Sequence, residues 1–136
     1  MHIWIDADGC PAAVKDLVYK ASRRLCIPVY VVANRRQHTP PLSLVTLVQV
    51  AKEPDAADQY IAAHLQANDL VITADIPLAA IAVGKQAVAI NPRGDVYTEE
   101  NVNVRLAVRD LMQGLRDHGL MRGGPAKLST RDQPIG

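Results

Sequence analysis

Four aspartates carry the chemistry this chain could do. Asp6 and Asp8 lie in the run Asp6-Ala7-Asp8-Gly9-Cys10-Pro11, Asp58 in Asp55-Ala56-Ala57-Asp58, and Asp75 in Thr73-Ala74-Asp75-Ile76-Pro77. Carboxylates brought together without compensation repel and raise one another's pKa. A hard divalent cation removes that repulsion and takes oxygen ligands, so Asp6, Asp8 and Asp75 are candidate ligands for Mg²⁺ or Mn²⁺, with Asp58 as a fourth acid in the set. Taken singly, Asp8, Asp55 and Asp75 also fit as ordinary helix N-caps. Asp6 does not, because it lies too far upstream of the helix that follows. Arg35 and Arg36, and Asn91 and Arg93 in Asn91-Pro92-Arg93-Gly94, are candidates for holding a phosphate, which a guanidinium can grip bidentately. A solvated basic loop is the plainer alternative for the first pair.

Other chemistries are poorly supported. Cys10 stands at an expected helix N-terminus, where a thiol pKa falls, but no local motif supplies a base, and both Cys10 and Cys26 are expected to be free. Two cysteines are too few for a disulfide framework, which favours a reducing, cytoplasmic setting. The histidines at positions 2, 38, 64 and 118 show no HxH or HExxH spacing, so zinc is not indicated. Gly123-Gly124-Pro125 follows no strand and is no P-loop. The formal net charge is +1, from 15 basic and 14 acidic residues, and does not by itself announce a nucleic-acid binder. With no Phe, one Trp and four Tyr, base stacking has few rings to draw on, so any cleavage is expected to be weakly sequence-selective. The longest apolar run, Ile76–Val83, is far short of a membrane span, and the N-terminus does not read as a signal peptide.

The elements that must position these residues follow a strand–helix rhythm. The 136 residues, 49% hydrophobic, suit one domain. Strands are expected at 2–5, 28–32, 44–50, 69–73 and 86–90, with a loop over 33–43. A first helix opens at Pro11 with Val14, Leu17, Val18, Ala21 and Leu25 on its buried face. A second runs from Pro54 to about Gln66 on the stripe Ala57, Ile61 and Leu65. A third opens at Pro77 and closes on Gly84. A fourth is capped by Thr98, ends at Gly119, and buries Val104, Val108, Leu111, Met112 and Leu115. Such a series predicts a mostly parallel sheet with helices on both faces, a three-layer α/β/α sandwich over residues 1–119, with a tail over 120–136. Sites in these sheets lie beyond the carboxyl ends of the strands, at a topological switch point. The first strand, central and beside the fourth, would then bring Asp6 and Asp75 within reach of one cation.

The combination of Asp6-Ala7-Asp8-Gly9-Cys10-Pro11, Ala33-Asn34, Asp55-Ala56-Ala57-Asp58, Thr73-Ala74-Asp75-Ile76-Pro77-Leu78-Ala79, Asn91-Pro92-Arg93-Gly94 and Gly123-Gly124-Pro125 resembles the bacterial YaiI/YqxD family over essentially the whole chain. That family looks like a distant branch of the PIN-like nucleases, Rossmann-like sandwiches that cut RNA or DNA with Mg²⁺ or Mn²⁺. The resemblance implies metal-dependent hydrolysis of nucleic-acid phosphodiesters, RNA before DNA. Asp6 matches the acid after the first strand, Asp75 the later acidic site, and Asp58 the helical carboxylate, which is usually Glu. A further acid after Asp75 is absent, which keeps a non-catalytic binding or regulatory module as the alternative. The DxDG start also looks like that of haloacid-dehalogenase-type phosphatases, which need a later Lys; Lys85 is the candidate here.

Overall fold

The structure, a computed structural model, describes residues 1–117 and Gly119. Six strands, β1 (Ile3–Asp6), β2 (Val29–Ala33), β3 (Val45–Gln49), β4 (Leu70–Ile72), β5 (Val88–Ile90) and β6 (Val96–Tyr97), form one sheet in the order β3-β2-β1-β4-β5-β6. All neighbours are parallel except β5 and β6. The helices are α1 (Ala12–Leu25), α2 (Ala56–His64), α3 (Ile76–Gly84) and α4 (Glu99–Asp117). The α/β fold with a mostly parallel sheet is as the sequence predicts. The chain begins in the middle of the sheet, builds outward to β3, then crosses back to β4. The strand order therefore reverses between β1 and β4.

Strands covered on both faces read as unbroken apolar runs rather than alternating ones. Alternation of side chains along each strand divides the core in two. Trp4, Val32, Val71 and Ala89 pack with Ala57, Ile61, Leu78, Ala79 and Ala82 of α2 and α3. Ile3, Ile5, Val29, Val31 and Ile72 pack on the other face with Tyr19, Val14 and Val18 of α1. The small residues of α3 let its backbone approach the sheet closely. The expected stripe of α2, Ala57, Ile61 and Leu65, is buried.

Four expectations are corrected. In α1, Leu17 and Leu25 are more than half exposed, and Tyr19 and Ser22 are buried instead. The helix is rotated because Ser22 can enter the core: its hydroxyl donates to the Ile27 carbonyl, and the Ile27 N–H bonds back to the Ser22 carbonyl. In α4, Val104, Val108 and Leu111 are more than half exposed, whereas Val102 is buried. Periodicity identifies an apolar stripe but not what covers it. Gly84 lies within α3 rather than after it, and the left-handed residue that ends this turn is Gln86, with φ 65°. Finally, β6 was not anticipated. Two residues carry no periodic signal, and the strand exists because the Asn91–Asp95 loop turns the chain back on β5.

Thr98 caps α4 as expected, in a reciprocal pair in which its hydroxyl accepts the Asn101 N–H and the Asn101 side chain accepts the Thr98 N–H. The chain divides into two compact units, Met1–Val102 and the segment from Asn103 onward. The expected tail, with Gly123-Gly124-Pro125, lies outside the described residues. No helix among the described residues is long and apolar enough to cross a membrane.

Candidate active site

β1 delivers Asp6 at its end, paired in register with Val32 of β2. β4 ends one residue before Thr73, and Asp75 follows as the N-cap of α3, its Oδ1 accepting the Leu78 N–H at 2.8 Å. Asp75 is therefore a cap, as its position allowed, with its second oxygen not engaged in that bond. Thr73 joins the two strand ends. It is buried, its hydroxyl donates to Asp6 Oδ2 at 2.8 Å, and the same oxygen accepts the Asp75 N–H at 2.9 Å. Its backbone is fixed on both sides, since its N–H bonds the Ile90 carbonyl and its own carbonyl accepts the Tyr97 hydroxyl.

Asp58, in the first turn of α2, completes the group from a third element. Burial, a hydrogen bond with Asp75, and the charges of Asp75 and Asp6 push its pKa up to about 7. Asp6 is also raised, first by burial and then by the charges of Asp75 and Asp8, against the lowering effect of the Thr73 hydroxyl. Asp6, Asp58 and Asp75 thus crowd together at the point where the strand order reverses. Asp8, exposed on the 3₁₀ turn Ala7–Gly9, acts on Asp6 through its charge. Its Oδ2 accepts the Asn34 N–H at 3.1 Å, tying the end of β1 to the loop after β2. Asp55 starts α2 without capping it; its carboxylate accepts from Gln59 instead.

The basic candidates lie on the loops of this same edge. Lys15 of α1 holds Gln37 at 2.7 Å, so the segment bearing Arg35 and Arg36 is pinned between that contact and Asp8, with both arginines exposed. Arg93 is exposed at the tip of the β5–β6 connection. Asn91 is buried, and its Oδ1 accepts the N–H groups of Arg93 and Asp95 while its Nδ2 donates to Asp95 Oδ2. Its side chain shapes the loop that presents Arg93. Thr73 is the residue sequence reasoning passed over; the available signal was a hydroxyl one residue past an apolar strand and two before an acid.

Both cysteines are free, as expected. Cys10 is buried, and burial pushes its thiol up against the lowering effect of Lys15, with Asp6 adding to the rise. It is unsuited to act as a thiolate. Cys26 is exposed, at the left-handed end of α1. A thiol titration of the native protein is expected to modify Cys26 rapidly and Cys10 only at the rate of opening; two equally fast thiols would contradict this. Lys85 sits at the far end of α3, where its ammonium donates to the Ala62 and Leu65 carbonyls closing α2. A nine-residue helix is about 13 Å long, so this lysine is not beside the acids.

Fold and site together define a doubly wound parallel α/β protein whose switch point is lined by aspartates. The chain belongs to the family described as "Uncharacterized BCR, YaiI/YqxD family", which it matches over residues 4–134. A UPF0178 protein of Citrifermentans bemidjiense is 57% identical, one of Trichlorobacter lovleyi 53%, and UPF0178 protein BAV3236 of Bordetella avium 50%, each alignment covering 98% of this chain and 86% of the relative. No solved structure matches it significantly.

Proposed function

We propose that this protein is a metal-dependent nuclease of the PIN-like type that hydrolyses nucleic-acid phosphodiesters, RNA in preference to DNA. The observation that carries the reading is the convergence of Asp6, Asp58 and Asp75, from a strand, a helix and a helix cap, on the switch point of the sheet. Their donors are hard carboxylate oxygens, which suit Mg²⁺ or Mn²⁺ and not softer metals. Among the described residues, no group of three or more His, Cys, Asp or Glu side chains is disposed to hold an ion as it stands. Asp6, Asp8 and Asp75 would be the residues to hold the ion, with Asp58 as the further acid beside them. When bound, the cation supplies hydroxide near neutral pH and offsets charge on the non-bridging phosphate oxygens. Arg35, Arg36 and Arg93 position the phosphate backbone, a task that needs charge and no base reading. Thr73 holds Asp6 in place through its hydroxyl.

The test is cleavage of labelled single-stranded RNA and DNA with Mg²⁺ or Mn²⁺ by wild type, Asp6→Asn and Asp75→Asn. Wild type is expected to cut RNA, EDTA to stop it, and either substitution to lower the rate at least 100-fold. Activity that survives both substitutions places the chemistry elsewhere. No cleavage by pure wild-type protein favours a non-catalytic binding module, the alternative that the missing further acid after Asp75 keeps open.

A further inference from the structure

The opposite edge of the sheet carries a second cluster. The chain has only one Trp and four Tyr, yet three of these rings meet two histidines where β1 and β2 begin and α2 ends. Trp4 stacks on Tyr30 at 4.5 Å and 20°. His64 stacks on Tyr60 at 4.1 Å and 22°. The two stacks approach each other with the Trp4 and His64 rings 6.2 Å apart. A pocket of about 170 Å³ opens here, lined by His2, Trp4, Tyr30, His64 and Gln66.

This pocket is built, not incidental. Asp69, buried beneath it, accepts the His2 N–H at 2.9 Å, the Trp4 indole N–H at 3.1 Å and the Gln66 N–H at 3.0 Å. One carboxylate thus fixes three of the five lining residues. Burial opposes its ionisation, but these hydrogen bonds and the nearby His2 hold its pKa below the ordinary carboxylate value. It is charged whenever the protein is near neutral pH, and the walls stay set.

Pockets for drug-sized ligands run to roughly 300–1,000 Å³, so this one takes a single planar ring system. Aromatic side chains stack on any base, because every base has a π face. Gln66 adds an amide with both donor and acceptor, the pattern that pairs with a base edge. The Lys85 ammonium is held on the Leu65 carbonyl, one residue before Gln66. We propose that this pocket binds one unstacked nucleobase, from a nucleotide or a single strand. The site is separate from the aspartates and stands whether or not they cleave anything.

Trp4 is the single tryptophan, so tryptophan emission, excited selectively over tyrosine, reports on this pocket. The experiment titrates wild-type protein, in EDTA, with AMP, with single-stranded oligoadenylate, and with ribose 5-phosphate. AMP and the oligonucleotide are expected to quench Trp4, and ribose 5-phosphate is not. A tighter complex with the oligonucleotide assigns the pocket to a strand; equal affinity assigns it to free nucleotides. His64→Ala removes an exposed ring and is expected to weaken binding roughly 5- to 150-fold with an unchanged circular dichroism spectrum. Absence of quenching by either base-bearing ligand, quenching by ribose 5-phosphate as strong as by AMP, or undiminished affinity in His64→Ala overturns the proposal.

Discussion

Metal-free protein carrying Asp58→Asn is expected to be more stable than wild type at pH 8, and equal to it or slightly weaker at pH 4. The folded-state pKa of Asp58, about 7, lies above its ordinary 3.8. The folded protein therefore holds a proton that the unfolded chain releases, and this contribution is full below about pH 3.8. Stability is lost as pH rises through the folded pKa. Asp6 is raised too, and works in the same direction. A shift from 3.8 to about 7 corresponds to at most about 4 kcal/mol, which solvent screening at this half-buried site reduces to roughly 2. Denaturant titrations in EDTA across pH 4–8 are expected to show wild type weakening toward alkaline pH and Asp58→Asn weakening less, with the Asp6 contribution remaining. Adding Mn²⁺ at pH 8 is expected to stabilise wild type and leave Asp58→Asn less changed. A wild-type stability that climbs between pH 4 and 8 would show that the three carboxylates do not crowd in solution.

Asp69→Ala is expected to produce the largest loss of stability of any single substitution at a polar residue here, about 3–5 kcal/mol. The substitution strands the Trp4 indole N–H and the His2 and Gln66 backbone N–H groups with no acceptor. Domains of this size are stable by only about 5–15 kcal/mol, so the variant should melt on the order of 10–20 °C lower. The pH dependence has the opposite sign to that of Asp58. With its pKa lowered, the Asp69 contribution is complete above about pH 3.8 and lost as pH falls through the folded value. Wild type should therefore lose stability in acid in a way that Asp69→Ala does not. Asp69→Asn keeps one acceptor oxygen and is expected to fall between the two. A melting temperature within 3 °C of wild type for Asp69→Ala would mean that water replaces the carboxylate at little cost.

The fold was legible because its central strands are covered on both faces. Ile3–Ile5, Val29–Val32 and Val71–Ile72 are continuous apolar runs, and helices separate most of them, so a parallel sheet with the acids at one edge follows from local pattern. The juxtaposition of Asp6 with Asp75 follows once β1 and β4 are neighbours. Register and coverage were less legible. The buried face of α1 turns on Ser22, which enters the core only because Ile27 returns to accept its hydroxyl. The exposed stripe of α4 and the two-residue β6 depend on what lies opposite them. Asn91 is a phosphate-holding candidate by its place in Asn91-Pro92-Arg93-Gly94; its bonds to Arg93 and Asp95 are set by the turn that forms around it, which sequence does not display. The aromatic cluster left no trace at all in composition, since rings at 4, 30 and 60 come together only through pairing of β1 with β2 and the return of α2.

The position of β1 also governs the order in which the molecule can assemble. Its pairing with β2 closes a loop of about twenty-five residues, Ile3 meeting Val29, whereas its other edge must wait for β4, with Ile3 meeting Leu70. Non-local contacts of that span slow folding, because the chain loses loop entropy before the contact rewards it. During synthesis the first thirty-odd residues can form a β-α-β unit whose β1 edge stays open until residue 72 emerges. Both clusters straddle that seam: Asp6 meets Thr73 across one end of it, and His2 and Trp4 meet Asp69 at the other. Neither can exist in a half-made chain, and both appear together when the seam closes.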